Sequence, residues 1–193
     1  MQYIDGGVCA PAGFKASGVH CGIRKNKTKK DLALIISEVE CSVASVYTQN
    51  LVKGAPIYVT QKNTANGRAQ AIICNSGNAN TCNRNGIEIA EGICKLVEKY
   101  AKIPSGNVVV ASTGVIGQPL SLEPFENGMS KLVENLGNNS HDASEAIMTT
   151  DTVKKEIAIE FDLHGQKCRI GGICKGSGMI HPNMATMLAF LTT

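Results

Sequence analysis

Residues 69–80 read Ala69-Gln70-Ala71-Ile72-Ile73-Cys74-Asn75-Ser76-Gly77-Asn78-Ala79-Asn80, and this stretch decides the fold class. Ala69 to Cys74 is a short apolar run, as a buried strand requires, and it passes directly into the polar, glycine-containing Asn75-Ser76-Gly77-Asn78. A helix is predicted next, from about Gly86 to Tyr100, with Ile87, Ala90, Ile93, Cys94 and Val97 on one face. The β-branched Val108-Val109-Val110 follows as a strand that ends at Ser112-Thr113-Gly114. Strand, helix and strand in that order indicate an α/β fold.

The same alternation extends outward. Leu32 to Ile36 is predicted as a buried strand, with Ala44 to Thr48 and Ile57 to Thr60 as further strands bracketing Asn50 to Pro56. Phe125, Met129, Leu132, Val133 and Leu136 keep the spacing of a buried helical stripe, and Gly137 is placed to stop it. A short helix around Asp142 to Met148 leads into Thr149-Thr150-Asp151. Ile157, Ile159, Phe161 and Leu163 alternate with polar residues, the period of a half-buried strand. His164-Gly165-Gln166 then forms a turn, with Lys167 to Cys174 as the returning strand of a hairpin. With no internal repeat or linker, residues 1–193 are expected to form a single α/β domain.

Composition narrows the function. Hydrophobic residues are 43% and charged residues 18%, and the core must be aliphatic because aromatics are only 4% with no Trp. A net charge of +3 with dispersed basic residues does not suit a nucleic-acid binder. The one cluster, Arg24 to Lys30, has five basic residues in seven positions but no interleaved aromatics, and is expected to be a solvated loop. The eight cysteines contain no C-x-x-C pair, so structural zinc is not indicated. Those in apolar surroundings, such as Cys74, are expected to pack as small hydrophobes. Met1 to Gly7 lacks the pattern of a secretory signal, and no run approaches the roughly 20 apolar residues of a membrane span. A reducing cytoplasm is the expected location.

Three polar segments follow apolar runs: Asn75 to Asn80, Ser112 to Gly117 and Lys175 to Gly178. Such strand-end segments collect binding groups. Each alone is also compatible with a turn, and Lys175-Gly176-Ser177-Gly178 lacks the spacing of a phosphate loop. His20, His141 and His164 fall in predicted loops or turns, and His181 flanks Thr186 five residues away without forming a triad.

The run Lys175-Gly176-Ser177-Gly178-Met179-Ile180-His181-Pro182-Asn183-Met184-Ala185-Thr186-Met187-Leu188-Ala189-Phe190 resembles the self-processing junction of the ornithine acetyltransferases, the bifunctional glutamate N-acetyltransferases of arginine biosynthesis. Ala10 to Gly18, Asp31 to Glu38, Tyr47 to Asn50, Asn75 to Asn80, Ser112 to Gly117 and Ala146 to Thr152 resemble further blocks of that family, in the family's order. The resemblance implies a layered α/β sandwich with mixed sheets, of the type shared with the self-cleaving aminopeptidases. It implies that the Ala185–Thr186 bond is cut by the precursor itself, and that Thr186 becomes the catalytic nucleophile at the start of a second chain. By the same resemblance Thr113 and Gly114 form an oxyanion hole, and Thr149 and Lys175 contact substrate alongside Thr186. N-acetylornithine, ornithine and glutamate would be the substrates and products, and two chains of each kind would form a heterotetramer. No metal or bound cofactor is implied. Some members also accept acetyl-CoA as donor, and the sequence does not separate the two kinds.

Two departures stand out. Thr81-Cys82-Asn83-Arg84-Asn85-Gly86 is irregular for the family, and the chain, about half a family precursor, continues seven residues past Thr186. It therefore reads as the unprocessed N-terminal half of a longer precursor. Three other readings stay open at this point: a self-cleaving aminopeptidase, a non-catalytic binding fragment, and a nucleotide binder resting on loose glycine loops.

Overall fold

The computed structural model describes residues 1–177 and 187–193. Gly178, His181, Ala185 and Thr186 lie outside the described residues. In chain order the elements are β1 (Gln2–Ile4), β2 (Phe14–Val19), β3 (Leu32–Ser42), α1 (Ala55–Asn63), β4 (Arg68–Asn78), α2 (Gly86–Ala101), β5 (Val108–Val115), α3 (Glu123–Glu134), α4 (Ser140–Ile147), β6 (Lys155–Leu163), β7 (Gln166–Lys175) and β8 (Leu188–Thr192).

The strands form two four-stranded sheets. The first, β2-β3-β4-β5, is mixed: β2, β3 and β4 pair antiparallel, while β4 and β5 run parallel. The second, β1-β6-β7-β8, is antiparallel throughout. The expected sandwich is present, with mixed pairing confined to one sheet.

The near-continuous apolar run of β3 has a direct cause, because both faces of the first sheet are covered. Leu32 and Leu34 join one core with Ala71 and Ile73 of β4, Val108 and Val110 of β5, and residues of α1, α2 and α3. Ala33 and Ile35 join a second core with Cys74, Ala143, Ala146 and Ile147, and with Ile173 and Phe190 of the second sheet. The layers thus run helices, first sheet, α4, second sheet. Phe125, Met129 and Leu132 are fully buried, as the predicted stripe of α3 requires. That helix ends at Glu134, before Gly137, whose backbone instead exchanges hydrogen bonds with Ala16. On α2, Ala90, Ile93, Cys94 and Val97 are buried as expected, whereas Ile87 in the first turn is exposed.

Three predicted elements come out differently. Ala44 to Thr48 is not a strand: no ladder includes it, and Val46 is exposed. Ile57 to Thr60 lies inside α1, whose buried positions Pro56, Val59 and Thr60 follow helical spacing. Two polar members of that stripe hide the pattern in the sequence. Thr60 exchanges hydrogen bonds with both backbone groups of Val110 (2.7 and 2.9 Å), and Asn63 Nδ2 donates to the carbonyls of Ser105 and Val108 (3.0 and 2.9 Å). Pro56 in the first turn suits a helix start, where its missing N–H costs nothing.

The third difference concerns β6. It is a strand, and it turns into β7 through His164 and Gly165, both at positive φ, as a two-residue hairpin demands. Yet the buried positions are Ala158 and Glu160, while Ile157 and Leu163 on the other face are more than half exposed (54% and 51%). The apolar alternation identified the strand and misassigned its inward side.

These placements separate two substitutions that look alike in sequence. In urea unfolding of this chain, Phe125→Ala is expected to cost about 3–5 kcal/mol. Ile157→Ala should stay within about 0.5 kcal/mol. Equal losses would contradict the outward orientation of the Ile157 face.

Candidate functional site

The polar blocks after Cys74 and Val110 are strand ends, not loops. β4 continues to Asn78 and β5 to Val115, paired Asn75 to Ser112, Ser76 to Thr113 and Gly77 to Gly114. Ser112 Oγ donates to Asn75 Oδ1 (2.6 Å), and Asn75 Nδ2 donates to the Asn78 carbonyl (2.9 Å). At Gly114 a Cβ would lie 2.4 Å from the Gly77 carbonyl carbon, and the φ of +135° is itself unsuited to a side chain. Glycine is therefore required for the two backbones to meet, and the register shifts immediately after Gly77. Thr113 is half-buried and Gly114 exposed, on the sheet's edge strand.

Thr149 and Lys175 are brought together by a residue that sequence reasoning did not single out. Asp151, whose side chain is 2% exposed, accepts hydrogen bonds from the Thr149 amide (3.3 Å), the Gly176 amide (2.9 Å) and Lys155 Nζ (2.7 Å). Lys175 Nζ, on a side chain only 5% exposed, stands 3.8 Å from Asp151 Oδ2, the oxygen that accepts the Thr149 amide, and donates to the Gly176 carbonyl (2.6 Å). Burial pushes the Asp151 carboxyl up, but the bond from Lys155, the two amides and the charge of Lys175 outweigh it, so the group sits below its ordinary range. Beneath Lys175, burial pushes the Cys74 thiol up to about 12, which leaves it an inert core group, as expected.

The two halves of the site are tied through the end of β4. Ser76 Oγ donates to the Ala146 carbonyl near the end of α4 (2.5 Å). Arg24 lies across Gly77, with its Cγ 2.9 Å from where a Cβ would stand, and its guanidinium donates to the Met148 carbonyl beside Thr149. Burial lowers the pKa of that guanidinium against the opposing charge of Asp31, and its Nε is buried without a hydrogen-bond partner among the described residues. The basic cluster is thus only partly the solvated loop expected. Lys25, Lys27 and Lys29 are exposed, whereas Arg24 turns inward and Lys30 pairs with Asp142 and Glu145. Fully buried Asp31 holds this loop in place by accepting the backbone N–H groups of Cys21 (2.6 Å) and Arg24 (2.9 Å).

Both Asp31 and Asp151 stood inside quoted blocks of the sequence. What marked neither was a signal that separates a buried carboxylate from a solvated one. Among the histidines, His20 contacts the Lys29 carbonyl, His164 forms the hairpin turn, and His141 sits exposed in the first turn of α4 beside Glu156. The concavities of about 310 Å³ beside Gly7, His141 and Glu156, and of about 260 Å³ beside Ile157, Cys174 and Leu191, include neither Thr113, Thr149 nor Lys175.

Among the described residues, two stacked four-stranded sheets, one mixed and one antiparallel, with α1, α2 and α3 outside and α4 between them, define the class of protein. The comparisons place it further: the chain belongs to the ArgJ family, whose model matches residues 15–193. It is 46% identical to the arginine biosynthesis bifunctional protein ArgJ of Caldanaerobacter subterraneus subsp. tengcongensis and 44% identical to that of Listeria monocytogenes. Each alignment takes in all of this chain and 48% of the relative, so the chain spans about half the length of the curated relatives it matches. A crystal structure of ArgJ from Bacillus halodurans superposes with a TM-score of 0.87 at 39% identity, covering 97% of both chains. The ornithine acetyltransferase of Mycobacterium tuberculosis, solved with ornithine, gives 0.86 at 34% identity, covering 97% of this chain and 99% of that one.

The Asp151 network carries its own prediction. A carboxyl held below its ordinary pKa stabilises the fold above the unfolded value, about 3.9, and that contribution fades as pH falls through the lower folded value. Asp151→Asn leaves the buried Lys175 ammonium without a counter-charge, at an expected cost of about 3 kcal/mol at pH 7. Chemical denaturation of both proteins from pH 7 to pH 3 should show the gap closing at the acid end. A gap that stays constant with pH would contradict this account.

Proposed function

We propose that this chain is the N-terminal half of an acetyltransferase that moves the acetyl group of N-acetylornithine to glutamate through an acetyl ester on Thr186. The observation that carries the reading is the convergence of Thr149, Lys175 and Gly176 on Asp151, at the head of the segment that leads to Thr186. Lys175 pairs with Leu188 across the two strands that bracket that segment. Family membership supports the same reading, as does a related structure named an ornithine acetyltransferase complexed with ornithine.

In this scheme the Thr186 hydroxyl attacks the Ala185 carbonyl. The peptide C–N bond breaks as the ester forms, and water hydrolyses the ester. Thr186 then carries a free α-amine with an ordinary pKa of about 7.7–8.0, suited to accept the proton of its own hydroxyl. The hydroxyl attacks the acetyl carbonyl of N-acetylornithine, and ornithine leaves with its amine protonated. The glutamate amine then attacks the acetyl-threonine ester, regenerating Thr186. Both halves pass through a tetrahedral oxyanion, for which the Thr113 hydroxyl and the Gly114 amide are the assigned donors.

Cationic Lys175, with Lys155 beside it and Arg24 nearby, leaves the region with more positive than negative charge, which suits the carboxylate that both substrates carry. Acetyl-CoA remains a candidate second donor, and no bound cofactor is required. The remainder of the substrate pocket would come from a second chain cut from the same precursor, the two kinds assembling as a heterotetramer of two and two in the cytoplasm.

Intact mass of the full-length gene product tests the nucleophile. Two fragments split before Thr186 are expected from the wild type, and one unbroken chain from Thr186→Ala. In the assembled enzyme, Thr113→Val should lower kcat for acetyl transfer by about 10²–10³. Acetyl transfer undiminished in Thr186→Ala would overturn the proposal.

A further inference from the structure

The second sheet carries apolar side chains on both faces, although only the inward one is covered in this chain. Register places Tyr3, Ile159 and Ile170 side by side across β1, β6 and β7. Ile157, Gly172 and Leu191 form the next row across β6, β7 and β8, with Phe161 opposite Cys168 and Cys174 opposite Ala189. This outward face is apolar apart from Gln166 and, at one corner, Lys155, and Tyr3 and Leu191 are 77% and 70% exposed. The face turned toward the rest of the chain carries, at the same hairpin, Glu160 bound to Lys167 (3.0 Å) and Arg169 (2.9 Å). These charges thus lie at the hairpin end of the inward face, Ala158, Ile173 and Phe190 being buried farther along it, while aliphatic side chains also cover the outward face. A contiguous apolar face of this kind marks an interaction surface.

We infer that the outward face of β1-β6-β7-β8 is the seat of the polypeptide that continues from β8, which lays an apolar layer across it. Part of that polypeptide is already in place. β8 lies beyond the Ala185–Thr186 junction, yet it pairs with β7 from Lys175–Leu188 to Gly171–Thr192, buries Phe190, and donates from Thr192 Oγ1 to the Val8 carbonyl (2.9 Å). As the edge strand of this sheet, β8 delivers the chain that follows it beside the uncovered face. The curated relatives carry roughly as much sequence again as this chain, enough for a complete layer. The inference rests on the reading of the chain as half of a precursor, but not on the chemistry assigned to Thr186.

Half-exposed Cys168 stands on this face opposite Phe161 and serves as the reporter. Its alkylation by N-ethylmaleimide, followed by peptide mass spectrometry, is to be compared between the 193-residue chain and the full-length product carrying Thr186→Ala. The expected result is labelling at least tenfold slower in the full-length protein. Labelling at equal rates overturns the inference. So does a 193-residue chain that sediments as a dimer with Cys168 protected, since the occupant would then be a second copy. The pair Ile157→Glu and Leu191→Glu supplies a second measurement. It should leave the melting temperature of the 193-residue chain within a few degrees of wild type while lowering that of the full-length protein by ten degrees or more. Equal effects on the two proteins overturn the inference as well. An acetyl-transfer assay on the wild-type full-length product runs in parallel. Protection of Cys168 without acetyl transfer removes the proposed function and leaves the docking surface, and acetyl transfer with Cys168 unprotected does the reverse.

Discussion

A carboxylate shut away from water must be surrounded by donors, and Asp151 is placed where the donors it recruits come from two distant stretches of the chain. Two arrive from its own neighbourhood, the Thr149 amide and Lys155. The others, Lys175 and the Gly176 amide, come from the end of β7 and from the residue after it. The end of β7 is held by its pairing with β8 and β6, and the Asp151 carboxylate ties the loop after α4 to it. Burial opposes the charge on Asp151, and the bond from Lys155, the Gly176 and Thr149 amides and the nearby charge of Lys175 together keep it ionised.

The first sheet supplies the other rigid reference. Gly77 and Gly114 bring two backbones closer than any side chain allows, at the point where β4 and β5 end. Ser76 and Arg24 transmit that position to the end of α4 and the Met148 carbonyl, one residue before Thr149. Asp31 secures the loop that carries Arg24 by bonding its backbone. Two buried aspartates and one inward-turned arginine therefore connect a strand-end pair in one sheet with a strand end in the other. The site residues they join come from segments far apart in sequence.

Much of the architecture was legible from apolar spacing: the runs of β3, β4 and β5 and the stripes of α2 and α3 lie where their periodicity puts them, except Ile87, which is exposed, and Leu136, which follows the end of α3. Spacing failed where polar side chains occupy buried positions. Thr60 and Asn63 complete the inner stripe of α1 by bonding to sheet backbone, so a helix looked like a β-branched strand. It failed again at β6, where Glu160 is buried by its partners and Ile157 is exposed, because a period of two reports alternation and is silent about which side faces in. The site was legible as blocks of residue types, through resemblance. What ties Thr149 to Lys175 was not, since a hydrogen-bond hub leaves no periodic trace.

The pairing of β8 with β7 has a mechanical consequence. Strand order here is maintained by cross-strand amide bonds and by Phe190 wedged in the inner core, not by the covalent path from Lys175 to Leu188. Severing the backbone between those two residues would leave the sheet zipped. A break would relax the tether while the fragments stayed registered to one another, without dismantling the scaffold around Lys175.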